Sequence, residues 1–481
     1  MTFDPNTGKP TDRTYLECGL PPYLAESLHA MKACWERLDN NIEDLRWDCY
    51  YCSLQADINS AEVNQTISTE QAWYLRETYL RIEREVFVVP DSYYLRIFDT
   101  DLIRFTLEDG GLAGLKATIL SVNELQRHRL PLDLQLEKDG GLVRWLERRV
   151  IPKNRAFVTE ILKSLGLAQG DTRGIIDVCK GLSLNDSYWV VPDGFEGKFA
   201  NYNLYENHFS EILSLVAYTG AQQSDTAFTT SPELTTNGML PKAWRHTKDG
   251  IYLYKGGTSG ASNTGREPYS EYYACQIGKA MGLNAIQYGL EQWKGILAST
   301  CELFTSKDVS FIPIGRLVKG GGLPAVLSWY ESFSPEAFEQ VKSMLVFDAL
   351  IYNEDRHFGN FGVLRDNHTG NILGMAPIFD HGLSLFNYAT QSDYADLGEY
   401  AKTRTSAYNI PFDTICKEVM GTVQKAQMRK LIGFTFDRHP RLNLPEEALQ
   451  AIETQVQNRA RELLELTPER TKPIKKHRDV R

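Results

Sequence analysis

The stretch Asn353-Glu354-Asp355-Arg356-His357-Phe358-Gly359-Asn360 places a carboxylate and an amide five positions apart. A second carboxylate, Asp380, follows the apolar run Ala376-Pro377-Ile378-Phe379 and precedes His381-Gly382. Phosphoryl transfer needs groups of these types. One carboxylate orients the attacking hydroxyl and takes its proton, while a second carboxylate and an amide hold magnesium against the phosphates. Hard oxygen donors suit magnesium, which keeps waters and phosphate oxygens among its ligands. Taken singly, Asp355 reads as a helix-end cap and Asp380 as a turn residue. The ordered set Asp355, Asn360, Asp380 points to the chemistry: Asp355 as base or orienting carboxylate, Asn360 and Asp380 as magnesium ligands. Arg356 and His357 brace the loop or meet phosphate.

A phosphoryl-transfer site also needs a cation on the nucleotide phosphates. Lys255 ends the apolar strand Gly250-Ile251-Tyr252-Leu253-Tyr254, and Glu271 follows in a helical stretch. A strand lysine on the α- and β-phosphates, oriented by a helix glutamate, is the arrangement used in protein kinases. Before the lysine, Thr235-Thr236-Asn237-Gly238-Met239-Leu240-Pro241-Lys242 is a candidate phosphate-covering loop, because backbone N–H groups beside a glycine approach phosphate closely. Gly256-Gly257-Thr258-Ser259-Gly260 competes for that role. It lacks the G-K-[ST] ending of a P-loop and reads as a flexible connection.

The elements that must carry these residues follow from periodicity and punctuation. Residues 15–85 read as mostly helical, with Trp73, Leu75, Tyr79, Leu80 and Ile82 at near-helical spacing over 70–86. The stretch Arg46-Trp47-Asp48-Cys49-Tyr50-Tyr51-Cys52 reads as amphipathic helix, and its C-x-x-C lacks the second ligand pair that a zinc ribbon requires. Residues 86–150 mix β-rich runs with Gly and Pro. A helix is expected after Pro152, carrying Phe157, Ile161, Leu162 and Leu165 and ending near Gly166. Strands are expected on either side of Lys248-Asp249-Gly250 as a hairpin, then a helix from Glu267 and a buried strand over 294–304. From Ser334, an N-cap followed by Pro335, helices dominate. One stops at Asn353, and a last runs over about 444–466, with Glu446 and Glu447 at the positive end of its dipole. The expected order is a helical region 1–85, a mixed α/β accessory region 86–230, a strand-rich unit 231–305, a helix-rich unit 306–467 and a basic tail 468–481.

Composition excludes some partners. The chain has 481 residues and a formal charge of −10, so nucleic acid is not favoured as main partner, since the DNA and RNA backbone selects basic surfaces. The first ten residues lack a charged-then-apolar leader, and no apolar run approaches the roughly 18 residues that cross a bilayer. The eight cysteines are scattered, as in a reducing compartment. A cytoplasmic location with no membrane partner is the expectation.

Four segments together resemble the HipA-like kinases of bacteria. Asn353-x-Asp355-Arg356-His357-x-x-Asn360 looks like that family's catalytic loop, and its D-R-H order is also similar to phosphatidylinositol kinases. Ser270-Glu271-Tyr272-Tyr273 resembles the family's E-Y-Y helix, and Gly238-x-x-x-Lys242 its phosphate loop. Cys301-Glu302-Leu303-Phe304 resembles its hinge, where the backbone of Glu302 and Phe304 meets adenine. The resemblance is specific over 231–386, and residues 183–190 with 202–213 resemble an upstream segment of some relatives. It implies a two-lobed α+β fold of the protein-kinase kind, with a β-rich N-lobe and a helical C-lobe behind an N-terminal extension. It further implies a serine/threonine protein kinase that uses ATP and magnesium on a protein substrate, with a regulator or antitoxin-like partner. In the family a hydroxyl residue of the phosphate loop is autophosphorylated; Thr235 occupies that place and Ser231 is the second candidate. Two features depart from the pattern: His381 stands where many kinases have Phe, and residues 1–180 do not match the family's small N-terminal subdomain.

Two other classes compete. An ATP-binding pseudokinase or interaction module would bind nucleotide without turnover. A lipid or small-molecule kinase fits the D-R-H order but lacks a basic amphipathic helix for membranes.

Overall fold

The computed structural model describes residues 12–40, 44–82, 92–109, 114–221, 231–258 and 265–466. The chain divides into two compact units, Met1–Val89 and Pro90–Arg481.

The first unit is helical. Its helices are α1 (Pro22–Asp39), α2 (Trp47–Val63) and α3 (Thr69–Tyr79). Leu24, Leu28 and Met31 lie at i, i+4 and i+7 on α1 and are buried with Leu54, Ile58 and Leu75, the stripe that a packed helix shows. Ser68 and Gln71 form a capping box at the start of α3. Glu17 gathers the Tyr74 hydroxyl at 2.9 Å and the Lys32 ammonium at 2.5 Å. The helix expected over 70–86 stops at Tyr79, where Leu80 caps it and Arg81 turns left-handed at φ +54°; residues 83–86 lie outside the described residues. Cys49 and Cys52 are exposed on α2, and among the described residues no group of three or more His, Cys, Asp or Glu side chains could hold a metal.

The second unit is mixed α+β, with three antiparallel sheets among the described residues. The first has the order β3-β2-β1-β4, from β1 (Tyr93–Ile97), β2 (Thr100–Asp109), β3 (Leu115–Val122) and β4 (Tyr188–Pro192). Between β3 and β4 run the short helices α4 (Gly141–Glu147), α5 (Val158–Lys163) and α6 (Thr172–Cys179). The helix expected from Pro152 is cut to α5, because Phe157 adopts φ +57° and only the residues after it wind. Helix α7 (Glu211–Thr219) then leads towards the second sheet.

That sheet has the order β5-β6-β8-β7, from β5 (Lys242–Thr247), β6 (Gly250–Gly256), β7 (Gly289–Trp293) and β8 (Ile296–Glu302). Strands β5 and β6 form the expected hairpin, and α8 (Glu267–Met281) packs against β8, β7 and β6. The third sheet joins β9 (Val309–Pro313), β10 (Gly362–Asp366) and β11 (Ile372–Met375) in the order β11-β10-β9.

Helices α9 (Ile314–Leu317), α10 (Gly322–Phe333) and α11 (Pro335–Ile351) separate β9 from β10. Helix α11 is buried almost all round over Ser343–Ile351, as befits the axis of a core. Ser334 caps it as expected, accepting from Ala337 N at 3.4 Å. It ends at Ile351, where Tyr352 turns left-handed (φ +53°) and throws the chain into 353–360. The chain closes with α12 (Leu397–Ala401), α13 (Phe412–Val419), α14 (Thr422–Arg429) and α15 (Glu446–Glu465). No helix among the described residues is long and apolar enough to cross a membrane.

Candidate active site

The loop 353–360 is built on a buried ion pair. Asp348, near the end of α11, receives Arg356 Nε at 2.9 Å and a second guanidinium nitrogen at 3.1 Å. Both side chains are almost wholly buried. Asp348 also accepts from Asn353 Nδ2 at 2.9 Å, and Asn353 Oδ1 in turn accepts the Asp355 N–H at 3.1 Å. The same guanidinium donates to the carbonyls of Asn360, at 2.9 Å, and Phe379. Arg356 therefore ties the loop end to the residue before Asp380. It braces the site and, being 1 % exposed, is not a phosphate contact here. His357 is exposed, and its Nδ1 accepts from Gly359 N at 3.0 Å, which stiffens the turn.

Asp355 is half-buried. Burial lifts its carboxyl above the usual range, with the His357 charge opposing and the Asp380 charge adding to the rise. Asn360 spends its amide nitrogen on the Asp355 carbonyl at 2.9 Å, which leaves its side-chain oxygen as the donor for a cation. With the carboxylate of Asp380, it could supply two oxygen ligands, the small protein share that magnesium takes when phosphates and waters complete its shell.

Lys255 joins the strand sheet to this loop. Its ammonium lies 2.7 Å from Glu271 Oε1 and 2.6 Å from Asp380 Oδ1. Burial disfavours its charge, but the two carboxylates overcome this and push its pKa up. Burial also favours neutral Asp380, yet Lys255 holds that carboxyl well below the usual range. Glu271 is pushed the other way, because burial outweighs the Lys255 charge; its second oxygen accepts from the Ser299 hydroxyl. Asp380 stands at φ +59°, a sparsely populated region that must be held from outside. Its N–H donates to the Tyr288 hydroxyl at 3.0 Å. His381 is fully buried, 3.1 Å from an Arg356 nitrogen and ring-packed against Tyr288 and Phe347. Burial and the Arg356 charge hold it neutral.

The loop before β5 closes over Lys242. Lys242 and Lys255 are register partners across the hairpin, so their side chains share one face of the sheet. Lys242 Nζ donates to Asn237 O at 2.9 Å. Gly238 has φ +95°, a backbone conformation that favours glycine, and it lies against the Lys242 side chain, whose Nζ would be 2.2 Å from a Cβ there. Burial, reinforced by Lys255, pushes the Lys242 pKa down to about 7. Thr235 is buried and donates to Leu182 O at 2.9 Å. Ser231 is buried and accepts from Glu233 N at 3.3 Å. Neither hydroxyl faces solvent.

At the end of β8, Glu302 is in register with Tyr252, and Leu303 N donates to Ile251 O at 2.8 Å. The ring of Phe304 packs on Phe311 and on Phe379, with centroids 5.5 and 5.4 Å away. Phe304 thus touches the residue before Asp380. The structure brings Asp355, Arg356, Asn360, Asp380, Lys255 and Glu271 into one linked cluster, with Lys242 on the adjacent strand. Sequence reasoning gives no role to Asp348, Tyr288 or Ser299, which orient these groups, nor to Arg155 and Glu233, which lie beneath the loop. Only Asp348 had a visible signal: a carboxylate on the apolar face of a helix.

No known family model matches this chain. In sequence it is 30% identical over 135 residues to serine/threonine-protein kinase CtkA of Helicobacter pylori, a stretch covering 25% of this chain and 41% of that protein. The chain therefore spans less than half the length of this relative. The sequence resemblance to HipA-like kinases stands with this match. Two solved structures are similar at low identity. The proinflammatory kinase CtkA of H. pylori has a TM-score of 0.40 at 20% identity, over 48% of this chain and 91% of that one. HipA of Shewanella oneidensis, solved with HipB and operator DNA, has a TM-score of 0.45 at 12% identity, over 77% and 97%.

Proposed function

We propose that this chain is a serine/threonine protein kinase of the HipA-like type, with residues 231–305 and 306–467 acting as its two lobes and ATP and magnesium as co-substrate and cofactor. The observation that carries the reading is the Lys255 ammonium held at once by Glu271 and Asp380, in the cluster that contains Asp355 and Asn360.

In this reading Lys255 keeps Glu271 and exchanges Asp380 for the nucleotide phosphates. Asp380 and Asn360 hold magnesium, which neutralises phosphate charge when bound. Lys242 and the backbone beside Gly238 meet the phosphates from the opposite strand, and the backbone of Glu302 and Phe304 meets adenine. Asp355 orients the acceptor hydroxyl and takes its proton, and its raised pKa strengthens it as a base. The loose transition state asks more for position than for basicity, and the Asp348–Arg356–Asn353 brace supplies position. Autophosphorylation on Thr235 or Ser231 requires the loop to leave its packed conformation, since both hydroxyls are buried. A regulator or antitoxin-like partner and a cytoplasmic setting are proposed on the family resemblance alone.

The test is incubation with labelled ATP, magnesium and a bacterial lysate, followed by phosphoamino-acid analysis. Phosphoserine or phosphothreonine is expected. Label confined to lipid or to free small molecules contradicts the assignment.

A further inference from the structure

The turn that precedes α5 is wrapped by the loop 233–242, although the two are far apart in sequence. Arg155 is fully buried and forms a salt bridge with Glu233, whose side chain is also wholly out of water. The same guanidinium donates to the carbonyls of Glu233, of Thr236 at 3.3 Å and of Lys242 at 3.0 Å. The neighbouring Ala156 N–H donates to Met239 O at 2.9 Å. The carbonyls of residues 233, 236, 239 and 242, every third one, therefore point at the 155–156 turn. Glu233 Oε1 then accepts Trp244 N at 2.7 Å, which fixes the loop to the start of β5.

This has a consequence on the other side of the backbone. No peptide bond among the described residues is cis, and in a planar trans peptide the carbonyl of one residue and the N–H of the next point in opposite directions. With the carbonyls of Thr236 and Met239 turned towards the 155–156 turn, the N–H groups of Asn237 and Leu240 point away from it. These two donors flank Gly238, beside the Lys242 ammonium. Backbone N–H groups displayed on one side of a turn beside a glycine make a concavity that can bind phosphate.

We propose that Arg155 is the positioning residue of the nucleotide site: by gathering the inward carbonyls of 233–242 it aims the Asn237 and Leu240 N–H groups at the ATP phosphates, beside the Lys242 ammonium. The proposal rests on the kinase reading for the identity of the ligand but not for the clamp itself. A buried pair of this kind contributes little net stability against an apolar substitute, whereas removing one partner leaves an uncompensated charge. Its value here is geometric. The guanidinium reaches three carbonyls and a carboxylate at once, which a lysine ammonium cannot match because it lacks the planar fork.

The experiment compares full-length wild type with Arg155→Met, Arg155→Lys and Glu233→Gln, by amide hydrogen exchange without nucleotide and by steady-state kinetics with MgATP. In Arg155→Met, exchange across 234–242 should speed by at least about tenfold, as expected when a local unit loses its buried anchor, while α11 stays protected. The KM for ATP should rise about tenfold with kcat changed less than about threefold, the pattern of lost ground-state binding. Arg155→Lys should fall between wild type and Arg155→Met, and Glu233→Gln should loosen the same segment. Unchanged exchange in 234–242, equal loosening of α11 in all three variants, or a fall in kcat at constant KM overturns the proposal. If wild type transfers no phosphate, the kinase reading fails, and the exchange arm still decides whether Arg155 holds the loop.

Discussion

Lys242 and Lys255 face each other across the β5–β6 hairpin, and only Lys255 has carboxylates to hold its charge. The asymmetry splits their behaviour. Lys255 stays an ammonium at any ordinary pH, whereas Lys242 is half-protonated near pH 7. A polyanion arriving between them restores the Lys242 charge. ATP binding at pH 8 is therefore expected to take up close to one proton, and less at pH 6, where Lys242 is already charged. Calorimetry in buffers of different ionisation enthalpy reads this directly. Lys242→Met should abolish the uptake; uptake that persists in the variant would remove Lys242 from the phosphate site. In the free protein the sign for stability follows from the same shift. The unfolded chain binds more protons between about pH 7 and the ordinary lysine value near 10.4, so the Lys242 contribution makes folding more favourable as pH rises through that window.

The Asp348–Arg356 pair should behave as structure, not chemistry. Arg356→Met strands a buried carboxylate and is expected to destabilise the second unit by about 3–5 kcal/mol at pH 7. Burial already pushes the Asp348 carboxyl up; without Arg356 the rise is larger. A carboxyl with a raised folded pKa loses stability as pH climbs through that pKa, so the variant's deficit should shrink between pH 7 and pH 5. Adding Asp348→Asn should recover part of the loss. Denaturant unfolding at the two pH values checks this, and a deficit independent of pH and of Asp348 would refute it.

Asp380→Asn removes the charge that meets Lys255 and, in the proposed site, magnesium. Turnover is expected to fall by orders of magnitude, with the far-ultraviolet circular dichroism unchanged, because Glu271 still holds Lys255. The magnesium dependence of ATP binding should weaken in parallel, read as thermal shift against magnesium at fixed ATP. Wild-type turnover in this variant would exclude Asp380 as a ligand.

If the protein phosphorylates its own loop, phosphate should be found on Thr235 or Ser231 after expression in bacteria, and it should disappear in Asp355→Asn. Phosphorylation of Thr235 would break its hydrogen bond to Leu182 O and place a dianion in a buried site, so the modified loop cannot keep this conformation. Mass spectrometry of residues 229–236 makes the measurement; phosphate found only elsewhere in the chain contradicts it.

The candidate cluster is legible because regular elements set where several of its members stand. Helix α11 and its Ser334 cap set where 353–360 begins, β6 sets Lys255, and α8 sets Glu271. What stayed hidden depends on long-range burial. Arg155 and Glu233 carry no local pattern, since each reads as a surface charge until the chain folds one over the other. The apolar spacing after Pro152 predicts a longer helix than forms, because Phe157 sits in a left-handed conformation that spacing does not reveal. Asp348 stands on the apolar face of α11, but spacing does not show that Arg356 pairs with it; the fold places both out of water. The first sheet of the second unit depends on β4 joining β1 across almost a hundred residues, a pairing that no local signal encodes.

The most direct test of the account is transfer of labelled γ-phosphate from ATP with magnesium, wild type beside Asp355→Asn, read on the protein itself and on a bacterial lysate. The account predicts label on serine or threonine with wild type, and a loss of at least about 100-fold in the variant, the range set by losing a positioned base. Equal labelling by both proteins, or ATP binding with no transfer by wild type, would contradict it.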